Sequence, residues 1–263
     1  MVKTEVCKAF KHEGGDLSRP VKVILLVALF VFSWSMPVWA NTIAVAAGIA
    51  PCVEEVVQTY TKAYGGDFVL VKEACGPLAR QIAAGAPYEL FLASEPRWPK
   101  WLQDQGLLMD VHTFAVGQLV IWHDLAEEAP NEKTIETALV AVPDPETTAY
   151  GYLAKEYLEQ KGMWDKMLAE KRIIFVGNAP QAVLAVRGGT VQIAFLPLSM
   201  VIKAGGSYRE LSGMNIDQVG GLTPKTSDES RKFWAFCRSQ TAAPIWSKWG
   251  FLLPNDEKER TKK

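Results

Sequence analysis

TIAVAAGIAPCVEEVVQTYTKAYGG, residues 42–66, carries the reading that decides the fold. TIAVAA, residues 42–47, is an apolar run of strand length, and Pro51 then opens a helix in which Val53, Val56, Val57 and Tyr60 recur at i, i+3, i+4 and i+7. Gly65-Gly66 ends it. Between strand and helix sits Gly-Ile-Ala-Pro, residues 48–51, a turn poor in side-chain hydrogen-bond donors. The first N–H groups of a helix have no intrahelical partner and the helix dipole is positive there, so a bare junction of this kind suits an anion.

The same alternation continues outward. FVLVKEA (68–74), ELFLA (89–93), LVIWH (119–123), ALVAV (138–142), IIFV (173–176) and VQIAFL (191–196) read as further strands. Helices fill the gaps, one with Tyr150, Leu153, Ala154, Tyr157 and Leu158 on its apolar face, another with Ala182, Val183 and Val186. Seven strands alternating with helices predict an α/β protein of mostly parallel sheets flanked by helices. Thr223–Ser227 is a polar linker, and the helices around FWAFC and IWSKWG, with no strand after them, must dock back onto earlier structure. The expectation is a hinged, two-lobed molecule: residues 41–117 plus 223–263 form one lobe and 118–222 the other.

Residues 1–22 carry five basic side chains and are followed by the charge-free run VILLVALFVF and by Val38-Trp39-Ala40, the pattern of a signal peptide cut after Ala40. Removing those 40 residues, five of them basic and three acidic, leaves 223 residues with a formal charge of −3. That balance excludes nucleic acid as a partner, and no second apolar run is long enough to span a membrane.

Four strand-to-helix junctions stand out: AAGIAP with Ala47 and Gly48, ACGP with Cys75, PDPETTAYG with Tyr150, and VGNAP with Ala179. In open α/β sheets, ligands bind beyond the carboxyl ends of strands, where helix N-termini converge. No Lys or Arg lies in these loops, so an anion there would be held by N–H groups and dipoles and not by ion pairs. Ordinary tight connections with nothing bound are the alternative.

LARQIAAGAPYELFLASE, FAVGQLVIW, PDPETTAYGYLAKEYL, IAFLPLS and SKWGFLLP, in that order, resemble the molybdate-binding periplasmic proteins of ABC importers across the whole chain after the leader. The resemblance implies a monomeric periplasmic binding protein that closes over a tetrahedral oxyanion, molybdate or tungstate, and presents it to an inner-membrane permease without a cofactor. Its pocket would comprise Ala47, Gly48, Cys75, Tyr150 and Ala179. The chain departs from that family where Ala47 and Gly48 replace Ser, Thr or Asn, where Cys75 replaces Ser, and where Ala149 replaces Pro. A hydrogen bond to a charged acceptor contributes roughly 1.5–3 kcal/mol, so two lost side-chain donors weaken binding by about a hundredfold or more.

Cys7 leaves with the leader, and three cysteines remain. Cys237, among Phe233, Trp234 and Phe236, reads as a buried apolar thiol. Cys52 and Cys75 open two helices that point at one cleft. They form a disulfide, stand as unrelated small residues, or pair as thiolates for a soft metal or thio-anion, in that order of preference. His112 and His123 have no metal-ligand spacing with them. Asp144 and Glu146 are turn formers without a His or Lys partner, and nucleophile-elbow, phosphate-loop and metal-histidine motifs are absent, so an enzyme is not expected. An orphan interaction protein that has lost its ligand is the remaining class.

Overall fold

β1 (Asn41–Ala46) turns at Ala47–Ile49 into α1 (Ala50–Tyr64), as the apolar spacing requires, and Val53, Val56 and Tyr60 are buried along it. These coordinates come from a computed structural model that describes residues 41–125 and 128–254, so the expected leader and the last nine residues lie outside the described part. The other expected strands form as β2 (Phe68–Glu73), β3 (Leu90–Ala93), β4 (Met109–His123), β5 (Val140–Pro143), β6 (Ile173–Val176) and β7 (Ile193–Pro197). Helices α2 (Cys75–Ala83), α3 (Arg97–Asp104), α4 (Glu132–Thr137), α5 (Ala149–Gln160), α6 (Trp164–Ala169), α7 (Ala179–Arg187) and α8 (Leu198–Ala204) separate them. The described part closes with α9 (Asp228–Cys237) and α10 (Ala243–Lys248).

Two features differ from the expectation. β4 starts ten residues before LVIWH, and Ser207–Leu222 forms an eighth strand, β8, where no strand was expected. These two long strands pair antiparallel from Met109↔Leu222 to His123↔Ser207 and make one continuous eight-stranded sheet in the order β2-β1-β3-β8-β4-β7-β5-β6. Parallel pairing is confined to the flanking trios, β2-β1-β3 and β7-β5-β6.

This topology places a site. β3 runs antiparallel to the last residues of β8, with Ala93 opposite Val219, whereas β7 runs antiparallel to β4, with Pro197 opposite Leu119. The two trios therefore run head-on, and their carboxyl ends converge on the middle of the β4–β8 ribbon, near Gly117 and Gln218. Packing divides at the same place. One core cluster joins residues 43–115 to Leu222, α9 and α10, and two others lie on the faces of the second trio between residues 119 and 216.

The cysteine expectation is corrected here. Cys52, Cys75 and Cys237 are all buried and all free. Cys52 belongs to the face of α1 that carries Val53 and Val56 and sits in the core cluster that holds Cys237, whereas Cys75 at the start of α2 accepts a 3.4 Å hydrogen bond from the Ser94 N–H. Burial in a helix face, not proximity in the cleft, governs Cys52.

Candidate functional site

The carboxyl ends of the strands enclose a cavity of about 20 Å³ lined by Ala46–Gly48, Ala74, Cys75, Ser94, Pro143, Thr148–Tyr150, Asn178 and Ala179. All five residues expected at the site, Ala47, Gly48, Cys75, Tyr150 and Ala179, lie on that wall. Four helix starts meet there, those of α1, α2, α5 and α7, and none has an acidic residue in its first turn. On α1 and α2 the N-cap positions are Ile49 and Ala74, which make no side-chain cap, so the bare turn read in the sequence is bare in the fold. On α5 and α7 the Thr148 and Asn178 side chains cap the N–H groups of Gly151 and Gln181, leaving the preceding N–H groups without an intrahelical acceptor.

Gly48 is present for close approach. It does not lie in the left-handed region, but a Cβ there would sit 3.2 Å from Pro197 Cγ, 3.8 Å from Ala179 Cβ and 3.9 Å from Tyr150 Cδ2. Glycine lets the first half come within contact of the second. Three hydrogen bonds cross at the same level: Gly76 N–H to Thr147 O at 3.1 Å, Ser199 Oγ to Gly48 O at 3.2 Å, and Arg97 Nη2 to Glu146 O at 3.1 Å.

Tyr150 is buried, and its hydroxyl rests against Gly117 of β4 and accepts a 3.3 Å hydrogen bond from Gln218 Nε2 of β8. The same amide nitrogen reaches the Ser94 carbonyl at 3.3 Å and the Ile216 carbonyl at 2.9 Å. Burial pushes the phenol well above its ordinary range, opposed by the Gln218 hydrogen bond, so its O–H keeps its proton as a donor. Cys75 is pushed up to about 12 by burial and then by the charge of Glu95, with the Ser94 N–H pulling it down. It is a neutral thiol, not a thiolate ligand. Glu95 is itself raised by burial, against the opposing effect of Arg97, whose Nε lies 3.0 Å from Glu95 Oε2.

These positions yield a chemical test. Cys52, Cys75 and Cys237 are expected to resist a thiol reagent at pH 8 in the native protein and to titrate as free thiols once it is denatured without reductant. Loss of the Cys52 and Cys75 thiols together from that count would restore the disulfide.

Sequence reasoning missed Ser94, Gln218 and Gly117. Ser94 follows the carboxyl end of β3, so the rule that singled out the other junctions also applied to it. Gln218 and Gly117 sit in strands read as short or absent. Asp144 is a turn former as expected, accepting from Glu146 N–H and Thr147 Oγ1. Among the described residues no group of three or more His, Cys, Asp and Glu is placed to hold a metal, and Cys52 and Cys75 are free, buried thiols.

Comparison with known proteins agrees with this fold. The chain is 29% identical over 238 residues to the molybdate-binding protein ModA of Rhodobacter capsulatus, covering 84% of this chain and 92% of that one. Its fold matches the periplasmic molybdate-binding protein of Azotobacter vinelandii with a TM-score of 0.76, at 24% identity, over 81% of this chain and 99% of the other. The sulfate-binding protein SubI of Mycobacterium tuberculosis matches with a TM-score of 0.66 at 14% identity, over 82% of this chain and 87% of that one. A family model for bacterial extracellular solute-binding proteins matches residues 42–252, nearly everything the structure describes, and the chain belongs to that family.

Proposed function

We propose that the protein captures a tetrahedral oxyanion of the molybdate and tungstate class in the periplasm and hands it to an inner-membrane ABC permease. The observation that carries this is the convergence of four helix N-termini, free of acidic side chains, on one cavity with no charged residue in its lining. Such a site offers positive dipole ends and N–H groups to an anion and desolvates no counter-charge. The N–H groups of Gly48 and Cys75 donate from one side, and those of Tyr150 and Ala179 from the other. Only the closed arrangement lets the anion use both sets, so binding favours closure. The two lobes, 41–117 plus 223–263 and 118–222, would move about β4 and β8, a division supported by their separate core clusters.

The cavity has room for about one water-sized sphere, so an oxyanion enters by a small separation of the lobes. A lining with donors and no carboxylate suits a fully ionised dianion better than a protonated phosphate. Calorimetric titration with molybdate, tungstate, sulfate and phosphate tests the reading. Heat with molybdate and tungstate, and none with phosphate, is expected; no heat with any oxyanion at micromolar protein overturns it.

A further inference from the structure

We propose that the Ser94 hydroxyl is a direct ligand of the anion, supplying from the loop after β3 a side-chain donor that Ala47 and Gly48 lack. This rests on the oxyanion reading of the cavity and names a residue outside the four junctions singled out in the sequence. Ser94 is 3% exposed and lines the cavity, yet its Oγ has no hydrogen-bond partner of normal geometry among the described residues. Its backbone is fully engaged: the N–H donates to Cys75 Sγ at 3.4 Å and the carbonyl accepts from Gln218 Nε2 at 3.3 Å. The hydroxyl does lie near enough to the Cys75 sulfur to favour its ionised form, but a thiol is a weak partner and does not satisfy it. Burying an unsatisfied hydroxyl is unfavourable, and a native site retains one where something other than the protein completes it.

The surroundings orient this group. Gln218 is fully buried in the ribbon and ties the Ser94 carbonyl on one side to the Tyr150 hydroxyl on the other. Ser94 Oγ and Tyr150 Oη thus become the two hydroxyl donors of the cavity, beside its backbone N–H groups and the amide of Asn178, whose Oδ1 caps α7, while the Thr148 hydroxyl is engaged by Asp144 O and the α5 cap. Among side chains, the anion's affinity depends on the Ser94 hydroxyl more than on the side chains that replaced the family's usual donors.

The experiment compares wild-type protein and Ser94→Ala by calorimetric titration with molybdate, alongside ligand-free thermal denaturation. Ser94→Ala is expected to weaken molybdate by about 10- to 100-fold, the loss of one hydrogen bond to a charged acceptor, while the ligand-free Tm stays the same or rises because an unsatisfied group has been removed. Wild-type binding with Ser94→Ala affinity within about twofold of it overturns the assignment of Ser94 and leaves the oxyanion reading standing. Weakened binding accompanied by a fall in the ligand-free Tm also overturns it, since Ser94 would then be a structural partner of Cys75. Absence of binding by the wild type removes the oxyanion reading, and this assignment with it.

Discussion

Gly48→Leu is expected to reduce oxyanion binding by about two to four orders of magnitude while the protein remains folded. Even the first carbon of a side chain at this position would press on Pro197 Cγ at 3.2 Å and approach Ala179 and Tyr150. A leucine therefore fills the cavity and holds the halves apart, so the anion can reach the donors of one side only. Losing two charge-assisted hydrogen bonds at roughly 1.5–3 kcal/mol each gives that range. The fold survives because each half keeps its own core cluster, and only the hydrogen bonds that cross between them, such as Ser199 to Gly48, are lost. Circular dichroism and thermal denaturation check the fold, and calorimetry checks binding. Retained affinity within about threefold of wild type would place the anion elsewhere.

The bare helix terminus beside Gly48 was legible in the sequence because its cause is local. A strand of apolar residues, a turn without polar side chains and a helix opened by Pro51 together specify a bare helix terminus, and α1 forms with Ile49 as an uncapped N-cap. The apolar faces of α5 and α7 were legible for the same reason: every residue named on them is buried. β8 was not. Of its 16 residues the first half is mostly exposed and polar, and the glycines at 213, 220 and 221 read as breakers. Gly220 is there because a Cβ would lie 2.8 Å from Trp234 and 2.9 Å from Leu92, a long-range requirement that no local period reveals. Missing β8 also hid Gln218, and with it the link between the site and the ribbon. The cysteines failed differently. Two thiols near two converging helix starts suggested proximity, but position along a helix fixes direction as well, and Cys52 faces the core.

Gly117→Ala is expected to lower stability by about 2–4 kcal/mol and to impair binding, and Tyr150→Phe is expected to rescue the first effect but not the second. A methyl group at residue 117 would overlap the Tyr150 hydroxyl and stand 2.6 Å from Gln218 Nε2. Neither group has solvent to move into, since Tyr150 is 4% exposed and Gln218 is fully buried. Overpacking costs about 1–3 kcal/mol, and loss of the buried Gln218–Tyr150 hydrogen bond adds about 1 more. For a domain of this size the Tm falls by roughly 5–15 °C. Tyr150→Phe alone leaves Gln218 its bonds to the Ser94 and Ile216 carbonyls and costs about 1 kcal/mol or less. In the double variant the overlapping oxygen is gone, so more than half of the lost stability returns, and the two substitutions are strongly non-additive. Affinity for molybdate does not return, because the phenol donor is gone with the oxygen. Additive stability losses, within about 0.5 kcal/mol, would show that the Tyr150 hydroxyl does not rest on Gly117. Molybdate affinity at the wild-type level in Tyr150→Phe would remove that hydroxyl from the anion's ligands, leaving Ser94 as the side-chain donor.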